Sequence, residues 1–511
     1  MAPPDRDIEV GQAALIARYG LRVPPPAVVS AVGPGARRTS IDGGRTYTKY
    51  TLQYRPDDSL VGHLRFALGY EPIDIGILKA AFEAAGPREI ESWARAQPTG
   101  AYARRAWFLY EWTTGKTLDV PDATGGAKAS ALEYEMQFTA RAKLSHRHKI
   151  FDNILGVPGF APLVRRTARL REFDWKQIKR DADALVAACD PVVLARAVDY
   201  LYTKETMSSF AIERETPDQS RARRFVDALK TAQSFDIGDT RALIALQNVI
   251  VDSRYAEKGF RDEQNFVGQT VSAIREQVHF VCPRPADVPG LMRGWGAMVA
   301  RLLDPKSSGT IASPVTAAAA IAFGFVFVHP FMDGNGRIHR FLIHHVLAKM
   351  GFAPAGGLFP VSASILRDPA GYDAALESVS KPIMDRLDWR WSDDRTVEVL
   401  EGAADLYRYF DATAAAEFLC EKIEDTVRVD LKDELDFIGR FDAVRQAVRE
   451  VVDMPDRRES LLVRLLMQNG GALSKAKRPD FAELTDPEIA AIETGARAAM
   501  DARDPKTPPP A

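Results

Sequence analysis

Only three cysteines, Cys189, Cys282 and Cys420, occur in 511 residues, and they stand far apart. No pair has metal-ligand spacing, so a disulfide framework and a zinc site are both excluded as readings, and a reducing cytoplasm is expected. Charge of one sign is also missing. The 67 lysines and arginines nearly cancel the 69 acidic residues, leaving a net charge of −2. A protein that tracks phosphate backbones carries a basic footprint, so nucleic acid is not expected as the main partner. Long hydrophobic runs are absent as well. The nearly all-apolar stretch from Pro314 to Val328 falls short of the roughly 20 residues that cross a bilayer, and it reads as a helix buried in a protein core, with no membrane as partner. The first residues, Met-Ala-Pro-Pro-Asp-Arg-Asp, have no basic start leading into an apolar run, so no secretory signal is expected and the mature chain is expected to begin near Met1. No internal repeat is found.

What is present is a globular composition, 46% apolar and 27% charged, on a chain long enough for two to four domains. Residues 1–44, with Pro24-Pro25-Pro26 and the Gly/Pro/Arg-rich Val32 to Arg38, are expected to be poorly ordered. Thr46 to Tyr54 alternates and suggests a short strand. Helical patterns follow at Ile77 to Ala85 and Tyr102 to Thr114, within a mostly helical module over 45–190. A helix is expected over about 192–215, stopped by Thr216-Pro217. Further helical stretches run over Phe225 to Val251 and Val288 to Leu303, and a hairpin is expected between about 261 and 282. Ser313-Pro314 supplies an N-cap and a proline at the first helical position for the buried helix. The C-terminal part, 386–503, is expected to be helical, with Thr485 to Glu488 as a capping box and 504–511 as a frayed tail.

The chemistry concentrates in His329-Pro330-Phe331-Met332-Asp333-Gly334-Asn335-Gly336-Arg337, between two helical segments. Gly334-Asn335-Gly336 permits positive φ and inward-pointing amides, and the next helix adds the positive end of its dipole, which makes an anion pocket. Arg337 and Arg340 share a helix face and can clamp phosphates. Asp333 offers the single carboxylate that a magnesium ion sharing its shell with phosphates and water requires. His329 is the natural base for an attacking hydroxyl at neutral pH. Each fragment alone also suits an ordinary turn; the coincidence of the whole string is what points to function.

The run His329 to Arg340 resembles the complete signature loop of the Fic (Fido) family, and the resemblance extends over about residues 195–385. It implies a mainly α protein: a Fic helical core over 191–385 with a small β-hairpin flap, flanked by N- and C-terminal helical regions. It implies an adenylyltransferase that moves AMP from ATP, with Mg2+, onto a protein hydroxyl, with His329 as base and Asp333 on the metal. Gly334, Asn335 and Gly336 would form the phosphate pocket, Arg337 would hold the α- and β-phosphates, and Arg340 would reach the γ-phosphate. The flap, about Arg261 to Cys282, would dock the target protein by adding a strand to its edge. Ser209 and Glu213, four apart on a helix, resemble the family's inhibitory motif, in which the glutamate pairs with the second loop arginine. A glycine or asparagine usually follows that glutamate; here Arg214 does. Members with this glutamate can also remove AMP. Two alternatives remain open: transfer of another phosphate-containing group, and a non-catalytic nucleotide sensor with DNA-binding flanks. A homo-oligomer is compatible with everything above.

Overall fold

The computed structural model describes residues 7–189, 191–272, 275–304, 313–353, 359–392, 396–400 and 402–501. The chain divides into two compact units, each discontinuous in sequence. One comprises Met1–Trp175, Ser209–Phe352 and Ile365–Lys422; the other comprises Lys176–Ser208, Ala353–Ser364 and Ile423–Ala511. The fold is mainly helical with small sheets.

The N-terminal segment departs from expectation. Ile8–Val10 pairs antiparallel with Val28–Gly33, which runs parallel to Arg45–Thr51; that strand in turn pairs antiparallel with Arg38–Asp42. A helix, Gly11–Tyr19, lies between the first two strands. The prolines Pro24–Pro26 sit in the connection after this helix, and Gly35, Gly43 and Gly44 take positive φ at the turns. The breakers therefore punctuate ordered elements and do not abolish them. The order is held by a small core of Val10, Val32, Tyr50 and Phe66. The strand expected over Thr46 to Tyr54 ends at Thr51, and Leu52–Tyr54 form a 3-10 turn.

Helices Leu60–Tyr70, Ile75–Ala85, Arg88–Ala96 and Ala101–Thr114 follow. Ser59 and Asp74 cap the first two by accepting backbone N–H bonds. They close over a core that includes Leu64, Leu78, Phe82, Trp107 and Leu109. A three-stranded sheet of Ala129–Ser130, Ile150–Asp152 and Lys143–Ser145 was not legible in the sequence, because strands this short show no alternation.

In the same unit, the antiparallel hairpin Phe266–Ser272 with Arg275–Val281 stands where a flap was expected. Helix Val288–Leu302 leads toward helix Pro314–Val328, capped by Ser313, whose hydroxyl accepts from Thr316 N. All of Pro314–Val328 is buried except Val326, which explains a helix with no polar face. Helix Asn335–Lys349 completes the pair. A two-stranded hairpin, Trp389–Trp391 with Val397–Val399, interrupts the region expected to be purely helical.

In the second unit, Lys432–Arg449, Asp456–Gln468 and Asp486–Asp501 share a core of Val444, Val448, Leu462, Val463, Leu466, Ile489 and Ile492. Thr485 and Glu488 form a capping box, with Thr485 N donating to Glu488 Oε2 at 2.7 Å and Glu488 N to Thr485 Oγ1 at 3.4 Å. The expected frayed tail, 504–511, lies outside the described residues. Among the described residues no helix is long and apolar enough to cross a membrane.

Candidate active site

The buried helix Pro314–Val328 ends on His329, which takes the left-handed conformation (φ 51, ψ 59) while its N–H still reaches Phe325 O at 3.0 Å. A side chain with a Cβ is strained there by about 1–2 kcal/mol, so the surroundings must hold it. Arg261 does so. Its Nε donates to His329 O at 2.8 Å, its backbone N to Pro330 O at 2.9 Å, and its remaining nitrogens to Glu263 O and Pro283 O. The base of the flap is thereby bolted to the histidine. His329 Nδ1 lies 3.2 Å from Val326 O, which places the ring proton on Nδ1 and leaves Nε2 as the basic nitrogen. Burial, with the nearby Arg261 charge, pushes the imidazole pKa down to about 4, so the ring is neutral at pH 7.

The loop beyond it is pinned from inside. Asn335 donates to Phe331 O at 2.7 Å and accepts from Phe331 N at 3.1 Å. Gly334, at φ 90, turns the chain into helix Asn335–Lys349. Asp333 Oδ1 accepts from Gly334 N at 2.6 Å and from Arg337 Nη2 at 2.8 Å, with the carboxylate 44% exposed. Neither of these bonds uses Oδ2. Among the described residues no group of three or more potential ligands could hold a metal. Asp333 thus offers one carboxylate, a donor set that suits magnesium sharing its shell with phosphates.

Both loop arginines are buried and both are engaged. Arg340 donates through Nε to Ser209 Oγ at 2.9 Å, and through Nη2 to Ser209 O at 2.7 Å and Glu213 Oε1 at 2.8 Å. Arg337 Nη1 donates to Glu215 Oε2 at 2.9 Å. A Cβ on Gly336 would stand 2.1 Å from Glu213 Oε1, so any larger residue there would push the carboxylate from its present place. The helix expected to reach residue 215 ends at Ile212. Arg214 is left-handed (φ 58), its N–H bonds Ala211 O, and Glu215 N bonds Phe210 O, which is the Schellman closure of a helix. That reversal ends the helix before Thr216-Pro217 can.

His329, Asp333, Gly334, Asn335, Gly336, Arg337, Arg340, Ser209 and Glu213 all lie on or against this one loop. Sequence reasoning missed the supports. Glu257 Oε1 accepts from Met332 N at 2.7 Å; buried Gln247 donates to Tyr255 O at 3.1 Å and to Asp333 O at 3.4 Å; Asn265 Nδ2 reaches Met332 O at 3.1 Å. Burial raises the Glu257 pKa. None belongs to a local pattern, so only the fold could reveal them. Glu215 did carry a signal, lying two residues beyond Glu213. His345 lies buried, with Nδ1 2.7 Å from Ala232 O.

Comparison with known proteins gives a match of residues 238–347 to the Fic/DOC family. The protein adenylyltransferase Fic of Drosophila yakuba is 35% identical over 95 residues, 19% of this chain and 16% of that protein. The protein of the same name from Aedes aegypti is 25% identical over 218 residues, 37% of this chain and 42% of that protein. The chain therefore covers well under two thirds of these relatives. A Fic family protein from Desulfovibrio desulfuricans superposes with a TM-score of 0.36 at 16% identity, over 59% of this chain and 87% of that one. A Fic domain containing signaling protein from Bacteroides thetaiotaomicron gives 0.35 at 16% identity, over 51% and 96%. The matched segment, residues 238–347, carries the loop, its histidine and its paired arginines, so this part of the chain is a Fic domain.

Proposed function

We propose that the protein transfers AMP from ATP to a Ser, Thr or Tyr hydroxyl of another protein and releases pyrophosphate. The observation that carries this reading is a neutral histidine, its Nδ1 turned to Val326 O, at the head of a loop whose following helix bears Arg337 and Arg340. His329 Nε2 takes the hydroxyl proton as the oxygen attacks the α-phosphorus; the bond from that phosphorus to the bridging oxygen breaks, and pyrophosphate leaves with the electron pair. Arg337 and the amides that open helix Asn335–Lys349 stabilise charge developing on the phosphates. Asp333 would hold a magnesium ion, which would supply further charge neutralisation.

The target segment docks along the flap hairpin, whose edge can take an added strand. The buried thiols of Cys282 and Cys420 fit a reducing cytoplasm. Glu213 acts as a brake by holding Arg340 away from the γ-phosphate. The test is incubation of wild type, Glu213→Gly and His329→Ala with magnesium, cell lysate and ATP labelled on the α- or the γ-phosphate. Protein-bound α-label that rises in Glu213→Gly and vanishes in His329→Ala is expected. Transfer of γ-label alone would replace this reading with phosphorylation, and no label in any variant would overturn it.

A further inference from the structure

The chain end after Ile212 carries two carboxylates, not one, against the arginine pair. Glu213 sits at the helix cap and Glu215 two positions on, with Arg214 reversing the chain between them at φ 58. Helix Asn335–Lys349 presents Arg337 and Arg340 three residues apart. The spacing matches: Glu213 meets Arg340 at 2.8 Å and Glu215 meets Arg337 at 2.9 Å.

Glu215 is itself held in place. Arg221 Nη2 donates to Glu215 Oε2 at 2.9 Å and to Ile250 O at 3.1 Å. The guanidinium groups of Arg221 and Arg337 each lie 5.2 Å from the centroid of the Phe210 ring, with the Glu215 carboxylate bridging them. Arg337 is only 1% exposed, and its two terminal nitrogens are spent on Glu215 and Asp333. An anion reaching Arg337 must compete with a carboxylate anchored from behind, and charge-assisted bonds of this kind are the strong ones.

The geometry points to Glu215 as a second inhibitory carboxylate, occupying on Arg337 the seat of the α- and β-phosphates while Glu213 occupies Arg340. This rests on the nucleotide reading of the loop. It adds that removing Glu213 alone leaves the inner phosphate seat still filled. Full release of the brake therefore requires Glu215 as well as Glu213 to leave its arginine, and Glu213→Gly alone gives partial release.

The test is calorimetric titration of the full chain with ADP and magnesium, because ADP lacks the γ-phosphate that Arg340 would meet and its binding needs no transfer. Glu215→Gln should tighten ADP about fivefold or more, the equivalent of one partly screened ion pair, and should do so again in the Glu213→Gly background. Arg221 keeps its bond to Ile250 O, so the variant should melt within a few degrees of wild type. An unchanged ADP affinity in both backgrounds, or no ADP binding by Glu215→Gln, overturns the inference. Tightened ADP binding without any α-label transfer would keep it and remove the transferase reading. Label transfer with ADP affinity unmoved would do the reverse.

Discussion

One nitrogen of Arg340, Nη2, donates both to the carboxylate of Glu213 at 2.8 Å and to the backbone carbonyl of Ser209 at 2.7 Å, so a single buried guanidinium reads the C-terminal turn of a helix. That turn already carries the negative end of the helix dipole. Nη2 is thus shared between a carbonyl and a carboxylate, and a phosphate must displace the latter. Glu213→Gly should raise transfer of α-label roughly ten- to a hundredfold, in line with the loss of one strong charge-assisted bond. Rates equal to wild type would remove the autoinhibitory role.

The depressed pKa of His329 sets a pH profile. A general base works deprotonated, so kcat/KM falls on the acid side as the imidazole gains its proton. With the pKa held down to about 4 by burial and Arg261, the rate should stay level from neutral to about pH 5 and halve near pH 4. Initial rates of the Glu213→Gly protein, with circular dichroism to confirm folding, check this. An acid limb centred near the ordinary histidine value would show a solvated ring.

Arg214 occupies a left-handed position that a glycine fills without strain. Arg214→Gly should raise stability by about 0.5–1 kcal/mol, the relief of strain exceeding the added entropy of the unfolded chain. The same relief favours the closed chain end, so basal transfer should fall. A melting temperature unchanged or lowered would show that Arg214 is held by contacts worth more than its strain.

Glu71 offers a test far from the loop. Its carboxylate is buried, accepts from Gln12 N at 2.9 Å and Gln12 Nε2 at 3.3 Å, and has its pKa raised by desolvation to about 7. A group whose folded pKa lies above its unfolded value contributes stability that is fully present below about pH 4.5 and is lost as pH rises through about 7. Glu71→Gln, which cannot ionise, should match wild type near pH 4.5 and exceed it at pH 8 by at most about 3 kcal/mol. Parallel melting curves at the two pH values decide it.

How far the sequence reached can be read residue by residue. It determined the loop from His329 to Arg340, because glycines, asparagine, acid and arginines at fixed spacing leave few conformations. It determined the buried helix Pro314–Val328, since an unbroken apolar run of that length has to be covered on every side. Ser209 and Glu213 were legible through their resemblance, four residues apart, to the family's inhibitory motif.

The tertiary structure alone decided the rest. The N-terminal sheet forms because Ile8–Val10 and Val28–Gly33 find each other across an intervening helix, a pairing that no local window contains. Glu257, Gln247 and Arg261 support the loop through bonds to backbone groups distant in sequence, and backbone acceptors leave no trace in residue type. Glu215 reaches Arg337 where Arg214 turns left-handed, a choice that local propensity opposes. Local spacing fixed which groups are available; long-range contacts fixed which of them meet.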